Sequence, residues 1–434
     1  MANKTMIIKW TFVSLVICVL LIVVVFSLTP ADKRQSKVDY LAEYNRISKP
    51  ADFDPNDNAA PYFDKAFELI VDAPDDFEPL KKLWPADMND DQLQMVKQWV
   101  EANKQTLDYL KQAVSKKYYW KPRVFDNNEP LIMADLGDLK QFRQGAKLLC
   151  MGAKLMAYDG QTEPAMRQLV DVYKIGTFFT GPRFLVEELV GTGIGSLAVN
   201  SAFQILDQTN PSPVILEDFQ KRITSLSSNQ IFLTDFAAER LMFYDVLDCL
   251  CAGYGQDKAR MVVKKFFLRT IGRAWAKREK RSADMIFDYI DIAKSKTPWQ
   301  LHSEGNDVNC VIERMAKGTL FVRNLAPSFD RVLFISYRIQ VHTDALIAAT
   351  AILRYKAEVG RYPNDLQELV TAGYLEKLPM DPFSGSALAY RVTGDNFELY
   401  SFAGDFDDDG GKHNSDWADK GDGDFVFWPV QKGP

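Results

Sequence analysis

The chain has 434 residues, an ordinary globular composition with 25% charged residues, and a formal net charge of -6. Nucleic-acid binding proteins usually have a basic domain, and a pI near 5.4 argues against one, so we expect no nucleic-acid partner. The 5 cysteines form no C-x-x-C pair and the 3 histidines are isolated, which argues against a disulfide framework, a redox motif and a histidine-rich zinc site.

An apolar run without charges spans residues 10–28, with two lysines before it and three basic residues soon after it. This length is enough to cross a bilayer as a helix. The sequence therefore predicts an N-terminal transmembrane helix within a membrane anchor over residues 1–31. A cleaved signal peptide and a buried core helix are the alternatives, and the poor cleavage site at residues 27–31 disfavours the first. The flanking charges are similar on both sides and do not decide the orientation.

Residues 32–60 are predicted to be a polar linker, and residues 61–327 an all-helical extracytoplasmic domain. The strongest apolar stripe covers residues 136–156 and ends before Gly160, and another helix begins at Glu163, so a helical hairpin is predicted here. Further helical patterns cover residues 184–206, 214–226, 229–252, 258–280 and 283–294.

Three glycines alternate over residues 191–195, a pattern to compare with phosphate-binding loops. The stretch lacks the third glycine of the dinucleotide fingerprint and the lysine of a Walker motif. Glu187 and Glu188 just before it would also repel a phosphate. We therefore predict that these glycines permit close packing of one helix on another.

Catalytic motifs are absent from the sequence, which has no G-x-S-x-G, no H-E-x-x-H, no Walker lysine and no protein-kinase set. Acidic residues on the predicted helix over 229–252 are the remaining candidates, because paired carboxylates perform acid–base work when their environments drive their pKa values apart. Asp235 and Glu239 are four residues apart, and we expect them on a surface face or against basic partners of a neighbouring helix. The candidates are Asp235, Glu239, Asp245 and Asp248.

A basic run nearly free of acids covers residues 258–281, with apolar side chains close to a common helical face. We interpret it first as an amphipathic helix with a solvated cationic face. Contact with an anionic membrane surface, or with an acidic protein partner, is the alternative.

The pattern changes in residues 328–434, where a small α+β module is predicted. A long helix covers residues 332–359 and ends at Gly360, a favoured residue after a helix. A short helix follows, and residues 388–392 and 397–402 are predicted to form short strands of an antiparallel sheet. The predicted fold class is therefore mainly α, with this α+β module at the end.

An aspartate-rich loop leaves the second of these strands directly. Asp405, Asp407 and Asp409 alternate, so a tight loop turns their carboxylates toward one point, and Gly410 permits the bend. The spacing to Asp416 fits the D-x-D-x-D-G-x5-E calcium loop, with Asp416 one methylene shorter than the final Glu. The predicted cofactor is Ca2+, which accepts about six to eight oxygen ligands. The predicted metal-site residues are Asp405, Asp407, Asp409, Gly411 and Asp416.

A disordered, solvated acidic tail is the alternative interpretation of this loop. Disordered tails are poor in aromatic residues, whereas Trp417, Phe425, Phe427 and Trp428 interleave with these acids. We therefore predict an ordered loop that closes around a cation.

The C-terminal module also carries short motifs in a fixed order, namely Gly360-Arg361-Tyr362-Pro363, Gly373-Tyr374-Leu375, Leu378-Pro379, Asp381-Pro382-Phe383 and Gly404-Asp405 through Gly410-Gly411. In this combination it resembles the globular domain of the major pseudopilin of bacterial type II secretion systems. The resemblance implies a long helix packed on a small antiparallel sheet, and a late acidic loop whose bound calcium holds the C-terminal region together. It implies ligand roles for Asp405, Asp407, Asp409 and Asp416, with Asp419, Asp422 and Asp424 as possible substitutes.

The start of the chain departs from that family. Residues 1–30 contain neither the glycine of a prepilin cleavage point nor an acidic residue. We therefore expect that the chain is not processed and polymerised as a pilin subunit. As a whole it resembles bacterial single-pass membrane proteins that carry a pseudopilin-like C-terminal module.

These features together predict a single-pass protein of the bacterial inner membrane with its bulk in the periplasm, where calcium is at millimolar levels. We expect an interaction or scaffold protein with protein partners in the cell envelope, associated with secretion or pilus-like machinery, and no enzymatic activity. The alternative is a cell-envelope hydrolase with an acidic site in the helical domain.

Overall fold

The protein is mainly helical, with a small three-stranded antiparallel sheet near its C-terminus, as the sequence predicts at this level. The predicted membrane anchor lies outside the residues that the structure describes. The computed structural model describes residues 38–75, 77–124, 130–134, 136–228, 234–252, 273–306, 308–319, 322–323, 327–415, 417 and 422–431.

The α-helices of the described chain follow one another in this order: α1 (Tyr40–Ser48), α2 (Ala60–Leu69), α3 (Phe77–Leu80), α4 (Asp90–Ala102), α5 (Lys104–Val114), α6 (Asp138–Tyr158), α7 (Thr162–Thr177), α8 (Leu185–Gln208), α9 (Pro213–Ser227), α10 (Ala237–Ala252), α11 (Arg273–Ala293), α12 (Pro298–Ser303), α13 (Val308–Met315), α14 (Pro327–Val359) and α15 (Leu366–Thr371). The strands are β1 (Ala389–Thr393), β2 (Asn396–Ser401) and β3 (Phe425–Trp428).

The predicted helical hairpin is confirmed by α6 and α7, which pack against each other. Gly160 between them has a φ of +82°, a left-handed conformation that glycine adopts without steric cost. Their buried faces contribute residues such as Phe142, Leu149 and Tyr173 to the main apolar cluster of the protein.

The alternating glycines lie inside α8, where they permit close packing on α7 as predicted. A Cβ atom added to Gly191 would lie 2.6 Å from the carbonyl oxygen of Gly176 and 2.6 Å from Cβ of Phe179. In the described part of the chain, α8 is the one helix long and apolar enough to cross a membrane, and 67% of its apolar window is buried inside the protein.

The long helix α14 is the central element of the C-terminal half. It packs against α8 and α9 and also against β2, β3 and α15. Val341, Ala345, Ala348 and Ile352 are completely buried along it. The helix begins at Pro327, a few residues before the predicted start.

The sheet has the order β1-β2-β3, with β1 and β2 joined as a hairpin. Val392 pairs with Phe397 in this hairpin, and Gly394 in the turn has a φ of +61°. The first two strands match the predicted ones to within two residues. β3 was not predicted, and it brings the chain after the acidic loop back alongside β2.

The described part of the predicted linker is folded. Residues 40–48 form α1, and its buried Tyr40 and Tyr44 pack with Phe184 in a separate apolar cluster. The ring of Tyr44 stacks on Phe184 at 4.2 Å. The polar composition concealed this helix because its docking depends on a few tyrosines rather than on an apolar stripe.

The predicted domain boundary near residue 328 is not a break in the core. A single apolar cluster includes Phe142 and Tyr173 from the helical hairpin together with Ile352 and Phe427 from the C-terminal module. The predicted break between helices at residues 281–282 is also absent, because α11 runs continuously through two buried small residues, Ser282 and Ala283.

Gly191→Ala is expected to lower the free energy of unfolding by about 1–3 kcal/mol, because the added methyl group would overlap the backbone of α7. Gly193→Ala is the matched control on the same helix, since a Cβ there meets no atom within 4 Å. The control is expected to raise the free energy of unfolding by up to about 1 kcal/mol, because alanine loses less backbone entropy than glycine on folding. Chemical denaturation of the full-length chain in mild detergent measures both values, and equal effects would contradict the packing explanation.

Candidate metal centre

The acidic loop is held at its start by a buried carboxylate, that of Asp381. It accepts hydrogen bonds from the hydroxyl of Ser401 at 2.8 Å and from the backbone N–H of Phe402 at 3.1 Å. The chain then turns sharply, with Ala403 at φ 57° and Phe406 at φ 66°. This left-handed conformation costs a non-glycine residue about 1–2 kcal/mol.

The turn brings Asp405, Asp407 and Asp409 together, with one carboxylate oxygen of each within 4.8 Å of the other two. Asp405 and Asp409 are half-buried and Asp407 is exposed. Oδ1 of Asp405 and Oδ2 of Asp409 are buried atoms that accept no hydrogen bond from the described residues. A buried acceptor without a donor lowers the stability of the folded state, and a bound cation would remove this cost.

Asp424 is a further carboxylate near this cluster, although it is not one of the three whose oxygens converge. It is completely buried, and its Oδ2 accepts the backbone N–H of Gly411 at 2.7 Å, whereas no described residue donates a hydrogen bond to its Oδ1. Burial, together with the nearby charges of Asp408, Asp409 and Asp405, raises the pKa of Asp424 to about 6 against the opposing effect of that N–H. Burial also raises the pKa of Asp409.

Backbone pairing brings Asp424 to the loop. Its N–H donates to the carbonyl oxygen of Lys412 at 3.0 Å, and its own carbonyl oxygen accepts the N–H of Asn414 at 2.8 Å. The N–H of Gly423 donates to Oδ2 of Asp405 at 3.0 Å. Hydrogen bonds therefore hold the segment before β3 against the loop, both at Asp405 and at residues 412–414.

The nearby cations are already engaged elsewhere. Lys412 pairs with Asp422 at 2.8 Å. Arg391 donates to the carbonyl oxygen of Gly410 at 2.8 Å and to Glu398 at 2.5 Å. Converging carboxylates with buried, unbonded oxygens are the donor set that hard divalent cations prefer, so the residues present fit a bound Ca2+.

The predicted site residues have different outcomes. The first three aspartates are brought together, and Gly411 donates its N–H to Asp424. Asp416 and Asp419 lie outside the described residues, so their ligand roles stay predictions. Asp408 points elsewhere, since its Oδ1 accepts the Tyr400 hydroxyl at 3.1 Å and the Gly410 N–H at 2.9 Å.

The sequence suggested Asp424 only as a substitute ligand. The signal that could have given it more weight is the run of aromatic and β-branched residues over 425–428, which is typical of a strand. A strand there returns the chain to the sheet and carries the preceding aspartate back to the loop.

The acidic residues of α10 do not converge, because each bonds to a different segment. Oδ2 of Asp245 accepts the N–H of Leu131 at 2.6 Å, and Oδ2 of Asp248 accepts the hydroxyl of Tyr40 at 2.7 Å. Asp235 and Glu239, which were expected on a surface face or against basic partners, are both half-buried and bond to backbone N–H groups. Oε1 of Glu239 accepts the N–H of Leu185 at 2.7 Å, and Oδ1 of Asp235 accepts the N–H of Ala237 at 2.9 Å.

Two carboxylates brace the start of α8 and the start of α10 reciprocally. Glu239 on α10 accepts from Leu185 at the start of α8, and Glu188 on α8 accepts from the N–H of Asp235 at 3.2 Å. Burial raises the pKa of both glutamates, to about 7 for Glu239. One backbone N–H at the start of α8 and one just before α10 thereby have a carboxylate as acceptor.

A buried ion network lies beside this brace, and sequence reasoning missed it. Glu187 accepts the Tyr44 hydroxyl at 2.6 Å and Arg123 at 2.6 Å, and Arg183 lies 3.8 Å away. Burial alone would raise the pKa of Glu187, but the two arginines and the tyrosine hold it below its usual value. The network joins α1 to α8, and its polar groups satisfy one another.

The described part of the basic run lies on α11. Lys277 and Arg281 are exposed there, and the ammonium of Lys280 lies 4.2 Å from the ring centre of Tyr244. Residues 258–272 of the run lie outside the described residues, so contact with a membrane or an acidic partner stays a prediction.

In comparisons with known proteins, no protein-family model, no curated protein and no solved structure matches the chain. The site therefore has to be interpreted from its own residues.

Glu239→Gln is expected to raise the melting temperature by about 2–4 °C at pH 8 and to leave it nearly unchanged at pH 5. Because burial raises the pKa of Glu239 from 4.5 to about 7, the folded protein holds a proton that the unfolded chain releases. That stabilising contribution is complete below about pH 4.5 and is lost as the pH rises through 7. Glutamine keeps an acceptor for the Leu185 N–H without carrying a charge.

Thermal melts of the full-length chain across this pH range measure the difference. Glu313→Gln, an exposed residue of α13, is the control for loss of one negative charge. A gain in melting temperature that is the same at both pH values, or the same in the control, would contradict the assignment.

Proposed function

We propose that the C-terminal module binds Ca2+ as a structural ion, and that the protein is a membrane-anchored interaction or scaffold protein of the bacterial cell envelope. The observation that carries the calcium proposal is the fully buried carboxylate of Asp424 near the cluster of Asp405, Asp407 and Asp409, with an Oδ1 that accepts no hydrogen bond within the described part of the chain. An acidic cluster on an exposed loop is common without an ion, whereas a buried carboxylate among like charges is not.

The residues that would hold the ion are Asp405, Asp407, Asp409 and Asp424, with Asp416 as a further predicted ligand. The ion would supply positive charge and remove the mutual repulsion of these carboxylates. Because the loop and the segment before β3 both contribute ligands, bound calcium would stabilise the folded state by mass action. Calcium suits a carboxylate-rich site of irregular geometry better than magnesium, which demands an octahedral site and retains its waters.

The cell-envelope assignment rests on the predicted anchor, on the resemblance to the type II secretion pseudopilin and on calcium availability. A structural site with exposed carboxylates would be filled where calcium is at millimolar levels, and this favours a position of the module outside the cytoplasm. The scaffold role is preferred to a hydrolase because the candidate acids of α10 bond to separate backbone and tyrosine groups. A catalytic pair would instead face a shared space for substrate.

Calcium binding is tested by isothermal titration calorimetry of the full-length chain in detergent. The full-length chain is needed because the apolar core of the module is shared with the helices before α14, called here the helical part. Binding at millimolar calcium or below is expected for the wild type. Asp405→Asn and Asp424→Asn are each expected to weaken it by about tenfold or more, since ligand charge sets calcium affinity. Absence of calcium binding by the wild type would end the proposal.

Asp408→Asn is the matched control, because it removes the same charge from the same loop while its carboxylate bonds to Tyr400 and Gly410. We expect a loss of affinity of less than about threefold for this variant, from long-range attraction alone. Equal losses in all three variants would indicate a diffuse electrostatic effect and contradict the assigned ligands.

The scaffold role is tested by affinity purification of the full-length chain from detergent-solubilised envelopes, with calcium or with a chelator. Recovery of secretion or pilus-assembly components with calcium, and their loss with chelator and with Asp424→Asn, is the expected result. Recovery that is the same for wild type and variant in both conditions would contradict a calcium-dependent scaffold.

A further inference from the structure

Helix α12 connects the acidic loop to the helical part of the protein. On one side, Leu301 of α12 is buried in a second apolar cluster with Ile290 of α11 and Ile312 of α13. On the other side, Trp299 and His302 contact the C-terminal module. Helix α12 therefore contacts both α11 and α13 and the C-terminal module.

The contacts of Trp299 fix where α12 lies. Its backbone N–H donates to the carbonyl oxygen of Pro382 at 3.0 Å. Its indole covers Gly385 so closely that an added Cβ atom would lie 2.2 Å from Nε1. Both contacts lie in the turn that begins at Asp381, the carboxylate that holds the start of the acidic loop.

The contact of His302 is with the acidic loop itself. Its imidazole stacks on the ring of Phe406, with ring centres 4.3 Å apart and planes 21° apart. Phe406 lies between two of the clustered aspartates, and its left-handed backbone turns Asp405 and Asp407 toward the cluster. The backbone conformation that gathers the carboxylates is therefore also the one that places the ring on α12.

We infer that occupation of the acidic loop by a divalent cation is coupled through the Phe406–His302 stack to the docking of α12, and through Leu301 to the second apolar cluster. This inference rests on the proposed calcium site. Without a cation, repulsion among the carboxylates and the cost of the left-handed Phe406 both favour an opened loop, and an opened loop withdraws the ring from His302. With a cation, the loop conformation and the stack are stabilised together.

Coupling of this kind is reciprocal, so the stack must also stabilise cation binding. His302→Ala is expected to weaken calcium affinity by about two- to tenfold, the range that one aromatic stack contributes. His302 carries an imidazole outside the carboxylate cluster, and it contacts the loop through the phenyl ring of Phe406. A simple loss of ligand would not give this result.

Hydrogen exchange of the full-length chain, followed by mass spectrometry with millimolar calcium or with chelator, tests the inference. Calcium is expected to slow exchange in the loop over residues 405–424 and also in α12, whose amides Leu301, Glu304 and Asn306 donate within the helix and its end. In His302→Ala and Phe406→Ala, calcium is expected to protect the loop but no longer α12.

Ser303→Ala is the matched control, since Ser303 is an exposed neighbour on α12 whose hydroxyl bonds within its own helix. It is expected to behave as the wild type. Protection of the loop without any protection of α12 in the wild type would overturn the coupling and leave the calcium proposal standing. Protection of α12 that persists in both ring variants would also overturn it, and no calcium effect at either place would remove the calcium proposal together with the coupling.

Discussion

Along its length, α14 is packed between other helices and the sheet, and the rest of the structure depends on this burial. Helices α8 and α9 cover part of its surface, and β2 and β3 cover another part. Exposure of a single large apolar side chain costs about 1.5–3 kcal/mol, so neither neighbour can leave the helix without a large loss. The helical part and the C-terminal module therefore stabilise each other, although their sequence patterns are those of separate domains.

Carboxylates serve two different purposes in this protein. In the helical part they accept hydrogen bonds from backbone N–H groups or tyrosine hydroxyls, as Glu239 does from Leu185 and Asp248 from Tyr40. In the C-terminal loop three of them face one another, with one oxygen of each within 4.8 Å of the other two. Each of these two acids has its own partner in the protein, whereas converging carboxylates repel one another unless a cation lies between them. This contrast is the physical reason for assigning metal binding to the loop and a structural role to the acids of α10.

A structural cation in this position would have consequences beyond the loop. The loop lies between β2 and β3, and Phe406 extends from it to α12. Calcium would then support the return of β3 to the sheet as well as the contact with the helical part. If the proposed scaffold role holds, this arrangement would make the folded surface depend on the calcium level of the compartment. The shared core keeps the main helices in place in either condition.

The sequence by itself determined the features that depend on near neighbours. Apolar periodicity predicted the α6–α7 hairpin and α14, and the strand pattern of the sequence predicted the first two strands. The alternating aspartates predicted the gathering of Asp405, Asp407 and Asp409. Tertiary structure alone decided which distant groups meet: Asp424 with the loop, Glu239 with the start of α8, Tyr44 with Glu187, and His302 with Phe406. Periodicity records which face of an element is apolar, but it carries no information on which other element covers that face. These contacts therefore follow only from the packing of the whole chain.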